Sequence, residues 1–188
     1  MKGRRSAINH FFDALTTKVT VLSIAIWMLA AASAGGITYL LWRKGKIKAS
    51  SALLLPILIF YLSFVTAITL VERVPTKKAK YQLELFWSYR AIMSGSTELI
   101  GEVFWNVVLF VPIGLLVSAL LHRHQWLSAV SGILLSAGIE AMQLLTHRGL
   151  FEFDDIVHNG LGALIGFFLF FLLMKTGRRE RKKEPSSA

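Results

Sequence analysis

Five long apolar runs divide the chain, and the short stretches between them are polar and often basic. Two runs fall within residues 19–71, Val19 to Trp42 and Ala52 to Val71. Three fall within 103–174: Val103 to Leu121, Leu127 to Thr146 and Ile156 to Met174. A hydrocarbon core about 30 Å thick is crossed by about 20 helical residues, so each run is long enough to span. In lipid every backbone N–H and C=O must be satisfied within its own segment, which makes helices of runs this long. The pattern predicts an all-α, polytopic membrane bundle of about five transmembrane helices. Pro56 lies in the first turns of the second run, where a missing N–H costs least. Pro112 lies mid-way along the third, where a kink is expected.

The intervening segments have different characters. Residues 1–18 form a basic N-terminal segment, 72–102 a connection, and 175–188 a basic tail whose last part, Glu180 to Ala188, reads as disordered. The connection carries Leu83, Leu85, Phe86, Trp87 and Tyr89 among charges. Such a stretch suits the membrane interface, or a lid folded back over the bundle. His122 to Trp126 and His147 to Asp155 are too short for anything but tight reversals, so the last three spans form an antiparallel stack and the core of the bundle. Two spans separate the long connection from the Arg148-to-Asp155 loop, which places both on one membrane face.

Composition strengthens the membrane reading. Apolar residues make up 54% of the 188 and charged residues 17%, against about 25% charged in soluble domains. A disordered chain is excluded, because such a chain lacks the apolar surface to offset its entropy. The net charge of +10 raises nucleic-acid binding as a function class. Its distribution points instead to membrane lipids as partners and to no nucleic acid. Lys2, Arg4, Arg5 and Lys18 precede the first run, Arg43, Lys44, Lys46 and Lys48 follow it, and Lys175 to Lys183 close the chain. Basic residues flanking spans retain loops in the cytoplasm and meet anionic head groups. There is no cysteine, which removes disulfides, thiol catalysis and thiolate metal sites.

Small residues at helical spacing predict close packing: Gly162 with Gly166, Gly114 with Ser118, and Gly132 with Ser136. Ala163, next to the first pair, is expected to tolerate a larger side chain than Gly162. The polar residues within or beside the spans carry more information, since an ionised group near mid-membrane costs about 2.5–3.5 kcal/mol. Glu140, Gln143 and His147 fall on one helix face, as do Asp154 with His158 and Asp155 with Asn159. Asp154 also suits the N-terminus of the fifth span, where a carboxylate meets the helix dipole. Glu140, an aspartate and His158 would suit a metal, but no spaced metal motif supports one. The sequence therefore assigns neither a metal nor another cofactor.

Several blocks resemble the VanZ-like family, small bacterial membrane proteins named for a glycopeptide (teicoplanin) resistance factor. They are Tyr81 to Arg90, Glu102 and Asn106 with Val107 to Gly114, Glu140 to Leu144, and above all His147 to Gly162. His147 stands where the family often has glycine, and His158 where an aliphatic or small residue is common. The resemblance implies a multi-pass protein of the bacterial plasma membrane with a part in envelope-antibiotic susceptibility.

Two functional classes follow. One is an enzyme or binding protein acting on a lipid-linked envelope precursor. Glu140, Asp154 or Asp155 would then serve as general acid or base, because burial raises a carboxyl pKa. Arg90, Glu102, Asn106, Gln143, Arg148 and Asn159 would bind, the two arginines holding phosphate through their planar forks. The other class is a non-catalytic scaffold, or a protein that docks a membrane-protein partner, whose polar network only positions helices.

Overall fold

The computed structural model describes residues 21–71, 73–121 and 126–181. Its helices are α1 (Val21–Arg43), α2 (Ala49–Thr66), α3 (Trp87–Met93), α4 (Glu98–Leu120), α5 (Leu127–Thr146) and α6 (Phe153–Arg181). All but α3 are long and apolar enough to cross a membrane, which gives five candidate spans among the described residues. The basic segment 1–18, the His122–His124 turn and the tail from Lys182 onward lie outside the described residues. The last helix continues to Arg181, taking in the first part of what reads as tail.

Side chains large and apolar point outward along every span, among them Leu29, Leu53, Leu134, Leu145 and Leu173, each more than half exposed. In water such a surface would aggregate; against lipid it is the expected solvent-facing side. Tight packing is reserved for the interior. Val65 of α2, Phe110 and Ile113 of α4 and Ile139 of α5 form one buried cluster.

The helices α4 and α6 touch backbone to backbone because glycine lets them. A Cβ at Gly114 would overlap the carbonyl of Ala163, one at Gly162 the carbonyl of Val107, and one at Gly166 the carbonyl of Val111. This is how helices associate where lipid supplies no hydrophobic drive. The expectation for Ala163 needs correction. It is 0% exposed and sits between Gly114 of α4 and Gly132 of α5, so it tolerates bulk no better than its neighbour. Pro112 lies inside α4 without ending it; nearby, Tyr61 Oη of α2 donates to the Leu109 carbonyl at 2.9 Å.

At the other end of the first hairpin, α1 closes through left-handed Gly45. Thr38 Oγ1 lies 3.1 Å from the Ala52 carbonyl of α2 and 3.2 Å from its own Gly35 carbonyl. The long connection and the α5–α6 loop do meet on one face. Strand β1 (Tyr81–Gln82) pairs in parallel with β2 (Phe151–Glu152), Phe151 N–H donates to the Lys80 carbonyl, and Thr76 N–H to that of His147. Pro75 and Arg148 add an antiparallel bridge.

Candidate functional site: a carboxylate cluster where the connection meets the core

The site begins with how α2 ends. The helix loosens into a single π turn at Ala67–Val71, a distortion often found beside functional sites. The last carbonyls of any helix lack intrahelical donors, and here side chains from across the bundle supply them. Gln143 Nε2 of α5 donates to Thr69 O at 2.9 Å. Arg148 Nη1 donates to Val71 O at 2.5 Å and to Arg73 O at 3.2 Å. Arg148 is thus engaged in holding backbone.

The α5–α6 loop is shaped to bring Arg148 there. Helix α5 stops at His147, which takes the left-handed conformation (φ 55°) while Arg148 N–H reaches back to Gln143 O. That is the turn glycine makes most freely. Gly149 follows at φ 98°. A side chain on it would lie 2.8 Å from Arg73 Nη1 and 3.2 Å from Gln143 Oε1, so glycine is what admits the Arg73 guanidinium.

Helix α6 opens with two aspartates that do different work. Asp154 reaches away from its own helix and caps α3: its oxygens accept from Phe86 N–H at 2.5 Å, Ser88 N–H at 3.0 Å and Ser88 Oγ at 2.6 Å. The N-cap role expected of it is filled, but for a different helix. Asp155 takes one hydrogen bond, from Asn106 Nδ2 of α4 at 2.6 Å. Glu140, 2% exposed, accepts the Glu152 N–H at 2.9 Å and so ties α5 to β2.

Around Asp155 the acidic groups gather. Glu102, Glu152 and Asp155 lie within electrostatic reach of one another, and Arg73 is the cation that faces Glu140, Glu152 and Asp155. Burial pushes the Glu152 carboxyl up to about 7; Asp155 and Glu102 add to the rise and Arg73 opposes it. Glu102 and Arg73 are exposed, Asn106, Glu152 and Asp155 half-buried. The exposed side chains of Lys77, Lys78 and Lys80 extend the connection beyond Arg73. The carboxylates and the Arg73 guanidinium thus share one face, where the connection meets the core.

Two of the remaining candidates stand apart. Arg90 is exposed on α3, paired with Glu84 at 2.5 Å and bonded to its own Leu85 carbonyl. Asn159 lies deeper, a turn below Asp155, donating to Ser136 Oγ of α5 at 2.8 Å, with its Oδ1 buried and unpartnered. His158 contacts Tyr89 Oη at 3.0 Å rather than a carboxylate. Glu140, the aspartates and His158 are therefore each turned to a different partner, and among the described residues no three His, Asp or Glu side chains are grouped to hold a metal.

Sequence reasoning missed Arg73 and Glu152. Arg73 directly follows a span, where any arginine looks like a flanking anchor; Glu152 sits in a motif whose aspartates draw the eye. The available signal was their proximity to Pro75 and Gly149, which mark the two turns that meet.

A family model described as VanZ/LLP1 matches residues 49–174. The chain belongs to the VanZ/LLP1 family. No curated protein and no solved structure matches it. The VanZ/LLP1 region begins at residue 49, well before the motifs at Tyr81, and the structure gives the reason. Span α2 supplies carbonyls that Gln143 and Arg148 grip, and the matched region takes in α2, α4, α5 and most of α6, while α1 precedes it.

Proposed function

We propose that this protein is a VanZ-like component of the bacterial plasma membrane that binds the head group of a lipid-linked envelope precursor and thereby influences glycopeptide susceptibility. The observation that carries this reading is the cluster of Glu102, Asn106, Glu152 and Asp155 beside Arg73. Carboxylates accept hydrogen bonds, and a saccharide or peptide head group is rich in O–H and N–H donors. A diphosphate linker would meet Arg73, and the exposed Lys77, Lys78 and Lys80 add positive charge along the same connection. Asp154, Arg148, Glu140 and Gln143 then act as positioning residues, holding the connection and the α5–α6 loop in register.

The scaffold reading keeps support from those same four residues, since each is bonded to backbone. Purified protein in nanodiscs separates the two. A fluorescent polyprenyl-diphosphate saccharide should bind wild type, and Asp155→Asn or Glu102→Gln should weaken binding about tenfold, the loss expected for one charge-assisted contact, while Glu102→Gln, at an exposed position, melts near wild type. Binding that neither substitution alters would remove the head-group reading and leave the scaffold.

A further inference from the structure

We infer that a groove between α1 and α2 holds the hydrocarbon tail of the lipid whose head group occupies the carboxylate site. The inference rests on the head-group reading above and adds where the rest of the ligand lies. The groove has a volume of about 440 Å³, with Ile26 and Trp27 on one wall and Ile59, Leu62, Ser63 and Val71 on the other.

Its depth matches one leaflet. From Ile59 to Val71 the chain advances about 18 Å at 1.5 Å per residue, slightly more than half of a hydrocarbon core about 30 Å thick. Its upper end is Val71, whose carbonyl is gripped by Arg148, and Arg73 of the head-group cluster is two residues further on. A chain lying in the groove therefore ends two residues from Arg73, which faces Glu152 and Asp155.

The walls are mostly apolar and suit a hydrocarbon chain, with Ser63 and Thr66 as their polar residues. Trp27 is 7% exposed and fixed edge-on against Phe64, with ring centroids 5.7 Å apart. Ser63 spends its hydroxyl on the Ile59 carbonyl at 2.8 Å, so it presents no free donor. Ile26, Ile59 and Val71 are 57%, 36% and 55% exposed, which leaves the groove open sideways to the bilayer. A tail enters laterally, without crossing a polar barrier. Any lipid chain can visit such a groove. Selection comes from holding tail and head at once, because the second contact is made at high effective concentration.

Photocrosslinking tests this in the full-length protein. Benzoylphenylalanine is placed at Ile59, at Ile26 as a second groove position, and at lipid-facing Leu134 of α5 as control. Each protein is reconstituted in phospholipid nanodiscs doped with a long-chain polyprenyl-diphosphate saccharide. The groove positions should capture that lipid about tenfold above its share of the disc, Leu134 in proportion to its share, and Asp155→Asn should bring the groove positions down to the Leu134 level. Proportional capture at both groove positions, with saccharide binding still sensitive to Asp155→Asn, would overturn the groove and spare the head-group reading. Enrichment that Asp155→Asn leaves intact would overturn the link between groove and site. Proportional capture together with no saccharide binding would overturn both.

Discussion

The Asp154 carboxylate takes both the backbone N–H and the hydroxyl of Ser88, at 3.0 and 2.6 Å. Through this pair the first turn of the last span pins the short helix of the connection, and the charge that does so is 1% exposed. Asparagine keeps the shape but exchanges one acceptor oxygen for a donor and removes the charge. Hydrogen bonds to charged groups contribute about 1.5–3 kcal/mol each, so Asp154→Asn should cost about 3 kcal/mol. Ser88→Ala, which deletes a single donor to that charge, should cost about 1.5 kcal/mol. Thermal unfolding in detergent measures both, and an Asp154→Asn protein that melts with wild type would show that the cap contributes nothing.

Glycine substitutions should divide sharply by position. Gly114→Ala and Gly166→Ala drive a methyl into the facing backbone, at Ala163 and Val111, and should sharply reduce the yield of folded, extracted protein. Ala163→Leu should be as damaging. Gly138 has open space where a Cβ would go, and there alanine should gain up to about 1 kcal/mol of helix propensity. Equal yields from Gly166→Ala and Gly138→Ala would mean that α4 and α6 do not meet as described.

The left-handed turn at His147 offers a stabilising change. A non-glycine residue pays about 1–2 kcal/mol to adopt that conformation, part of which glycine returns through its freer unfolded chain. The side chain is exposed, and its carbonyl bond to Thr76 survives substitution. His147→Gly should therefore raise stability by about 0.5 kcal/mol, read from the melting midpoint. A clear loss would show that the imidazole makes a contact of its own.

Glu152 should make stability depend on pH. Burial pushes its folded carboxyl up to about 7, from an ordinary value of 4.5. Between those values the folded protein binds more protons than the unfolded chain, so stability falls as pH rises across the window and levels off above it. Glu152→Gln cannot ionise, and its melting temperature should fall less than that of wild type between pH 5 and 7. Parallel curves for the two proteins would mean that Glu152 titrates normally.

The sequence alone determined the five spans, the glycine seam and the side of the membrane shared by two distant loops. These follow from local quantities: the length of an apolar run, the size of a side chain, the parity of crossings. It also singled out the buried polar residues, because the cost of a charge in lipid makes each one conspicuous. What it could not decide was which of them are bonded to backbone and which gather in the acidic cluster. Asp154 and Asp155 are neighbours with the same chemistry, yet one caps a helix sixty-six residues upstream and the other takes a single amide. Helical rotation turns them roughly 100° apart, and only the packing of α3 and α4 around α6 determines what each one meets. Arg73 was indistinguishable from an interfacial anchor until the left-handed turn at Gly149 made room for it. Spans are set by the solvent that surrounds each segment. The site is set by which segments become neighbours, and that is a property of the assembled bundle.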